Sequence, residues 1–310
     1  MTPIDNIAIF SQDCSFFAVP YLAEAIGCEL YVNNTQHNNF FGGGTMAKKW
    51  DGEAIDCDHL IVVSCEGLRV IASVIEGHHY KTVSIIISDS FACKEQEWCV
   101  NFITRNGLYV YAMPDMALFY PPPAIPVYQT MKISYPIKEK PKNRLVISHS
   151  PSCEYKALDK GSPHIISVIE DFSLRYDFSF CLIKNRSMAQ CIKIKSMSHI
   201  FIDQLVYGNP NVNQARWGNN IRYNGGLGKS GIEGMLLGAC VITGGEEPDT
   251  KGFFPPPPVV WTSYDSFEMD MEKLIEDSVY RDKKTQEQAI WANKYLSAKF
   301  VANHITQHIK

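Results

Sequence analysis

Residues 224–243, NGGLGKSGIEGMLLGACVIT, include the side chains whose types and spacing most directly indicate chemistry. Gly228, Lys229 and Ser230 have the form of the loop that wraps phosphate in nucleoside triphosphatases. That loop needs a second glycine five residues before Gly228 and a buried strand in front of it. Position 223 is Tyr223 instead, and the segment before it is polar and irregular. The sequence therefore argues against a triphosphatase.

The same stretch still predicts a phosphate site, because a glycine-rich loop leads into a helix that begins near Ser230. The first turn of a helix offers backbone amides and a partial positive charge, which suit a phosphate or a diphosphate. Glu233 follows one turn later. Gly238 ends the helix, and the apolar run 239–244 follows as a buried strand.

Alternating strands and helices must position these residues. In the first half, five short apolar runs predict strands with helical segments between them: 7–10, 29–32, 59–64, 82–88 and 108–113. A second series predicts strands at 144–150, 178–183, 199–205, 239–244 and 259–263, and helices near 160–175, 187–197 and 230–237. Runs that are apolar throughout suit parallel strands covered by helices on both faces.

Residues 120–144 carry six prolines, which is typical of a connector between domains. We predict an α/β protein of two Rossmann-like, doubly wound domains that face each other across a cleft. The boundaries are 1–120 for an N-terminal acceptor domain, 121–143 for a Pro-rich linker, 144–265 for a C-terminal donor domain, and 266–310 for helices packing back toward the first domain. Ligands of such sheets bind at the carboxyl ends of the strands.

Composition narrows the class of protein. The 310 residues carry a net charge of −4, which argues against a strongly basic nucleic-acid coat. Ten cysteines are spread along the chain without a Cys-x-x-Cys pair, as expected for reduced, buried thiols. The N-terminus lacks a signal-peptide pattern, and no apolar run reaches the ~20 residues that span a bilayer. We expect a cytoplasmic protein.

Three motifs in order resemble the donor half of GT-B glycosyltransferases, in particular the large retaining family with the pattern G-x-S-x-x-E-x-M-x-x-G. The resemblance covers about 144–263, and over 1–120 it is only architectural. The segment 199–205 is similar to the strand that precedes the family's glycine loop. The other matching residues are Gly228, Ser230, Glu233, Gly234, Met235, Gly238, Val241 and Ile242, and, earlier in the chain, His149, Pro151, Ser152, Lys160 and Gly161.

The resemblance implies a role for each residue of the donor site. Glu233 would accept hydrogen bonds from ribose hydroxyls, and Lys160 would pair with the diphosphate and offset the charge of the leaving nucleotide. The loop at Gly228, Lys229 and Ser230 would cradle that diphosphate. The remaining donor-binding candidates are His149, Ser152, Asp203 and Gln204.

One departure from the family concerns the sugar. Many relatives carry an acidic residue eight positions before the glutamate, where this chain has Gly225. Contacts to the sugar hydroxyls must then come from elsewhere.

The acceptor side is expected among polar residues that follow the strands of the first half: Asp13, Glu66, Asp89 and Asp115. Asp89 is the candidate for contact with the reacting sugar or the acceptor, and with Lys160 and Glu233 it completes the predicted catalytic set. An inverting enzyme needs a carboxylate as general base, whereas the resemblance implies a retaining reaction in which the departing phosphate can do that work.

The predicted activity is transfer of a sugar from a nucleoside diphosphate sugar to an acceptor hydroxyl, with no metal and no permanently bound cofactor. The acceptor stays open among a glycan, a small molecule and modified DNA. A virus-type transferase acting on hydroxymethylated bases is one alternative, in which phosphates would contact Lys48, Lys49, Lys138, Lys140, Lys142 and Arg144. A non-catalytic protein that binds nucleotide-sugars is the other.

Overall fold

The computed structural model describes residues 6–12, 19–33, 47–87, 93–114, 124–131, 133, 138–151, 160–205 and 226–309, with the backbone alone at 93–96. The chain divides into two compact units. Unit 1 comprises 1–134, 250–254 and 295–310, and unit 2 comprises 135–249 and 255–294.

Unit 1 is built on a seven-stranded parallel sheet. Its strands are β1 (Ile7–Ser11), β2 (Glu29–Val32), β3 (Lys48–Lys49), β4 (His59–Val63), β5 (Thr82–Ile87), β6 (Tyr109–Ala112) and β7 (Ile125–Pro126), in the spatial order β3-β2-β1-β4-β5-β6-β7. The five strands predicted from apolar runs are confirmed to within two residues at each end. β1 and β4 are buried along their whole length, as expected for strands covered on both faces.

Helices α1 (Val19–Ile26), α2 (Cys65–Gly77) and α3 (Cys93–Asn106) connect these strands. Part of the predicted Pro-rich linker belongs to the sheet, because β7 pairs with β6 in parallel. A proline is tolerated there since β7 is an edge strand, whose outer side needs no N–H donor. Among the described helices, none is long and apolar enough to cross a membrane.

Unit 2 contains a five-stranded parallel sheet in the order β12-β11-β10-β8-β9. The strands are β8 (Leu145–His149), β9 (Phe178–Leu182), β10 (Ile200–Ile202), β11 (Cys240–Gly244) and β12 (Val260–Thr262). The helices are α4 (Ser162–Ser173), α5 (Met188–Met197), α6 (Lys229–Leu236), α7 (Phe267–Glu276) and α8 (Ser278–Tyr295). Strand order reverses between β8 and β10. The five strands and α4 to α6 follow the order predicted for residues 144–265, whereas α7 and nearly all of α8, predicted to pack back toward the first domain, fall within unit 2.

A side chain completes the sheet of unit 2 beside β11. Gln288 on α8 is fully buried, and its amide accepts from the N–H of Val241 at 2.7 Å and donates to the carbonyl oxygen of Val241 at 3.1 Å. Val241 precedes the first residue of β11 that pairs with β12, namely Ile242. Gln288 therefore satisfies backbone groups where the neighbouring strand has not yet begun.

The last helix, α9 (Ala298–Thr306), packs in unit 1, whereas α7 and nearly all of α8 belong to unit 2. Val301, Ala302 and Ile305 join the core cluster formed by β1, β2, β4 and α1. The hydroxyl of Tyr111 on β6 donates to the carbonyl oxygen of Ile305 at 2.9 Å. The chain thus returns to the first sheet after completing the second.

Cysteine chemistry is limited in the described residues. Seven cysteines are free, of which four are buried: Cys57, Cys65, Cys99 and Cys240. Burial raises the pKa of the Cys57 and Cys240 thiols to about 12, so that both stay protonated at neutral pH. Such thiols are poor nucleophiles.

Candidate functional site

The candidate site lies at the carboxyl ends of β8 and β10, where the strand order of unit 2 reverses. β8 and β10 are neighbours, with Ile202 opposite His149. Open α/β sheets bind ligands at this kind of position, because the loops after the two strands turn to opposite sides. Lys160 lies just before α4, the next described element after β8, and Asp203 follows β10 directly.

Asp203 brings the predicted lysine and the glycine loop together. Its Oδ2 accepts the amide N–H of Gly228 at 2.6 Å, and its Oδ1 lies 3.5 Å from Nζ of Lys160. Nζ of Lys160 also donates to the carbonyl oxygen of Ser150 at 3.3 Å. Asp203 has no solvent exposure, whereas the side chain of Lys160 is 14% exposed. The carboxylate of Asp203 is therefore closed off from solvent, whereas the side chain of Lys160 is partly accessible to a ligand.

Gln204 clamps the same loop one residue further on. Its side-chain amide donates to the carbonyl oxygen of Gly226, which also accepts from the hydroxyl of Thr243 at 3.0 Å. The backbone of Gln204 accepts the N–H of Gly244 at 2.6 Å. The sequence predicted that Asp203 and Gln204 line the donor cleft, whereas both are buried and hold the glycine loop against the sheet.

The three glycines of α6 and its cap lie on one face, at positions 228, 231 and 234. A Cβ added to Gly231 would lie 2.8 Å from Oδ2 of Asp203, and one added to Gly228 would lie 3.0 Å from the same atom. A Cβ at Gly234 would lie 3.0 Å from both Phe201 and Val241. Gly234 therefore lets α6 pack closely on β10 and β11, and Gly228 and Gly231 leave room for the carboxylate of Asp203.

The amino end of α6 carries Lys229 and Ser230 as its first two helical residues, one residue earlier than predicted. Gly228 is the N-cap and provides no side-chain cap. Both Lys229 and Ser230 are half-buried. The first turn, which carries the positive end of the helix dipole, thus begins at the residue held by Asp203.

Glu233 forms an ion pair that sequence reasoning missed. Its Oε2 accepts from Nζ of Lys195 on α5, and the side chains of Glu233 and Lys195 are only 8% and 2% exposed. Nζ of Lys195 also lies 4.9 Å from the ring centre of Phe201, within the range of a cation–π contact. The available signal was helical spacing, since Lys195 lies three residues after the buried Ile192. Glu233 is therefore a buried anion with a fixed counter-ion.

His149 has a structural role that uses both ring nitrogens. Nδ1 lies 2.8 Å from the carbonyl oxygen of Ile202, and Nε2 lies 2.7 Å from the hydroxyl of Ser162 at the start of α4. The ring is completely buried. A neutral imidazole with Nδ1–H donating and Nε2 accepting satisfies both contacts. Both ring nitrogens of His149 are therefore engaged inside the protein, and neither is left for the predicted contact with the donor.

Burial lowers the pKa of His149 to about 3, with a smaller lowering from the charge of Lys160. A histidine of the unfolded chain titrates near pH 6.5, so between pH 6.5 and 3 the unfolded state binds a proton that the folded state excludes. The stability due to neutral His149 is complete above pH 6.5 and is lost as the pH falls. At pH 5 we expect a loss of about 2 kcal/mol from this group.

Urea unfolding at pH 7 and pH 5 measures this loss, and the His149→Gln variant should show a smaller difference between the two conditions. An equal difference in both proteins would contradict the assignment to His149.

The acceptor-side candidates are only partly described. Glu66 lies in the first turn of α2, is exposed, and follows Ser64, whose hydroxyl caps that helix by accepting the N–H of Gly67 at 3.0 Å. A carboxylate in a first helical turn also stabilises the helix without any ligand. The other predicted residues lie outside the described residues: Asp13, Asp89, Asp115 and, on the donor side, Ser152.

Three of the cations expected to contact DNA have partners inside their own unit. Lys48 pairs with Glu29 in unit 1, and Lys140 in unit 2 donates to the carbonyl oxygen of Gly238 after α6. Arg144 pairs with a surface carboxylate at 3.2 Å. Burial lowers the pKa of Lys140 to about 8. Of these three, only the half-buried Lys140 would have to leave an internal partner to reach a DNA phosphate, since the pairs of Lys48 and Arg144 are exposed and contribute little.

Solved structures with the same architecture match nearly the whole chain. HepE from Anabaena, in complex with UDP and glucose, has a TM-score of 0.60 at 10% identity, covering 98% of this chain and 99% of its own. Sucrose-phosphate synthase from Thermosynechococcus elongatus has a TM-score of 0.60 at 9% identity, covering 97% of each chain. The glycosyltransferase SnogD from Streptomyces nogalater has a TM-score of 0.51 at 10% identity, covering 97% and 99%. The chain has the GT-B fold.

The resemblance of the sequence to GT-B proteins and the expected pair of Rossmann-like units are thereby confirmed. No protein-family model and no curated protein matches the sequence. Identity this low establishes the GT-B fold alone, so the chemistry rests on the side chains of unit 2.

Proposed function

We propose that this chain is a glycosyltransferase that moves a sugar from a nucleoside diphosphate sugar to an acceptor hydroxyl, with retention and without a metal ion. One observation carries the proposal. A partly exposed lysine, Lys160, lies 3.5 Å from the carboxylate that holds the first residue of the α6 turn, at the strand-order reversal of a GT-B donor unit. Lysine and helix amides together form an anion site suited to a diphosphate.

In this proposal each group acts on the leaving nucleotide. The ammonium of Lys160 and the dipole of α6 stabilise the negative charge that grows on the diphosphate as the bond to the sugar breaks. Glu233 accepts hydrogen bonds from the ribose hydroxyls. Since Oε2 of Glu233 is engaged by Lys195, the ribose contact falls mainly to Oε1.

On the acceptor side, Asp89 is proposed to contact the reacting sugar or the acceptor, with Asp13, Glu66 and Asp115 as further candidates. Retention leaves removal of the acceptor proton to the departing phosphate, so no carboxylate is assigned as general base.

A screen of UDP, TDP, GDP and their sugars tests the proposal on the full chain. A bound nucleotide at 100 times its Kd raises the apparent stability by about 2.7 kcal/mol, which a thermal-shift assay detects. The nucleotide-sugar that gives the largest shift is then incubated with candidate acceptors, and release of nucleoside diphosphate is followed. HepE, which shares the fold, binds UDP-glucose, and this makes UDP-glucose the first donor to test.

The outcomes separate the alternatives. A shift together with nucleotide release supports the transferase. A shift without release or transfer under any condition would indicate the non-catalytic binding protein instead. The absence of any shift across the panel would contradict the donor site itself.

A further inference from the structure

A carboxylate occupies the place where the proposed phosphate site is most positive. Oδ2 of Asp203 takes the amide N–H of Gly228 at the start of α6, and Oδ1 faces the ammonium of Lys160. A helix N-terminus and a lysine are the two kinds of group that a phosphate binds. Asp203 therefore contacts the same two groups that are proposed to bind the diphosphate, namely the start of α6 and Lys160.

The contact between Asp203 and Lys160 is loose. The 3.5 Å between Oδ1 and Nζ exceeds the 2.7–2.9 Å of a good charge-assisted hydrogen bond. The second contact of Nζ, to the carbonyl oxygen of Ser150, is also long at 3.3 Å. Within the described part of the chain, Oδ1 accepts no hydrogen bond. The lysine is thus near its counter-ion without being locked to it.

Burial makes the counter-ion necessary. Asp203 has no exposure to solvent, and an isolated charge in that position would be strongly unfavourable. Lys160 supplies the compensating charge from the partly exposed side. Gly228 and Gly231 leave the space for the carboxylate, since a Cβ at either position would come within 3.0 Å of Oδ2.

We propose that Asp203 is the resident counter-ion of the donor phosphate site. In the empty site it positions Lys160 and the first turn of α6, and in the occupied site it repels the nucleoside diphosphate and so favours release of the product. The inference rests on the proposed function, since it assumes that the site takes a diphosphate. Asp203 contacts Lys160 and Gly228 and none of the reacting atoms, which makes it a positioning residue.

The Asp203→Asn variant tests this proposal, because it keeps an oxygen for the N–H of Gly228 and removes only the charge. Removing a negative charge a few ångströms from the diphosphate should tighten UDP binding about tenfold and slow UDP dissociation correspondingly. Damage to the fold would weaken binding, so a tighter Kd distinguishes the two effects. Calorimetry gives Kd, and stopped-flow displacement gives the dissociation rate.

Asp171→Asn is the matched control, since it makes the same charge change on the exposed, far turn of α4 and should leave the affinity unchanged. In the Lys160→Met background, Asp203→Asn should still tighten UDP binding, because the repulsion between the carboxylate and the diphosphate does not depend on the lysine. Asp203→Ser provides a second neutral variant if the asparagine protein does not fold.

A measurement of stability without nucleotide tests the ion pair separately. Lys160→Met leaves a buried carboxylate unpaired and should lower the urea midpoint, and adding Asp203→Asn should restore most of that loss. If the unaltered chain binds UDP and the neutral variants bind it no more tightly, the inference is overturned and the proposed function stands. If the unaltered chain binds neither UDP nor TDP, both are overturned.

Discussion

The Lys160→Met protein is expected to transfer sugar about 10²- to 10³-fold more slowly than the unaltered chain, the usual cost of removing one preorganised group that stabilises developing charge. The reason is position: Nζ of Lys160 is a partly exposed cation next to the carboxylate that holds the start of α6. Turnover is measured as release of nucleoside diphosphate at saturating donor, so that a change in affinity does not contribute.

Lys193→Met is the matched control, because Lys193 is an exposed lysine of the same unit, on α5, and its loss should change turnover little. The Lys160→Met effect is also measured in the Asp203→Asn background, where no unpaired carboxylate remains. Turnover within threefold of the unaltered chain in either background would show that Lys160 does not act on the leaving group.

Glu233→Ala is expected to weaken binding of a nucleoside diphosphate about 10- to 100-fold, since hydrogen bonds to a charged group contribute about 1.5–3 kcal/mol. The unaltered chain should also prefer a ribose nucleotide over its 2′-deoxy form, and the variant should lose that preference. Calorimetric titration with UDP and 2′-deoxy-UDP measures both effects. Equal affinity of the unaltered chain for the two nucleotides would contradict a ribose contact.

The Glu233→Ala change should also lower the stability of the folded protein, because Lys195 loses its partner. Breaking a buried ion pair from one side costs about 3–5 kcal/mol, whereas removing both charges costs much less. The double variant Lys195→Met with Glu233→Ala separates the effects. It should recover most of the thermal stability but none of the lost affinity. Recovery of affinity would assign the loss to folding and not to the ribose.

The arrangement of strands was predictable because buried parallel strands consist of continuous apolar runs. The run 82–88 predicted β5 to within one residue, and 239–244 predicted β11 equally well. Such a run indicates from the local sequence alone that the strand is buried, so no contact with distant residues has to be known. The short edge strands β3 and β7 were not predictable, since one consists of two lysines and the other includes a proline.

The candidate site was less predictable, because its contacts join residues far apart in the sequence. Glu233 meets Lys195 across 38 positions, and Asp203 meets Gly228 across 25. The resemblance to GT-B glycosyltransferases implied that Asp203 and His149 touch a ligand, whereas burial and hydrogen bonding give both an internal partner. The glycine-rich loop that ends at Gly228 predicted a phosphate site, and the structure adds that Gly228, Gly231 and Gly234 leave room for Asp203 and for β10 and β11.

The return of α9 to the first unit has a consequence for biosynthesis. Val301, Ala302, Ile305 and Ile309 complete a core whose strands are translated first, whereas unit 2 ends at residue 294. Domains generally fold as units while the ribosome is still translating, with the N-terminal one usually first. Here the second unit has all its residues before the first does, so the surface of the first sheet that α9 covers stays exposed until α9 itself has been translated.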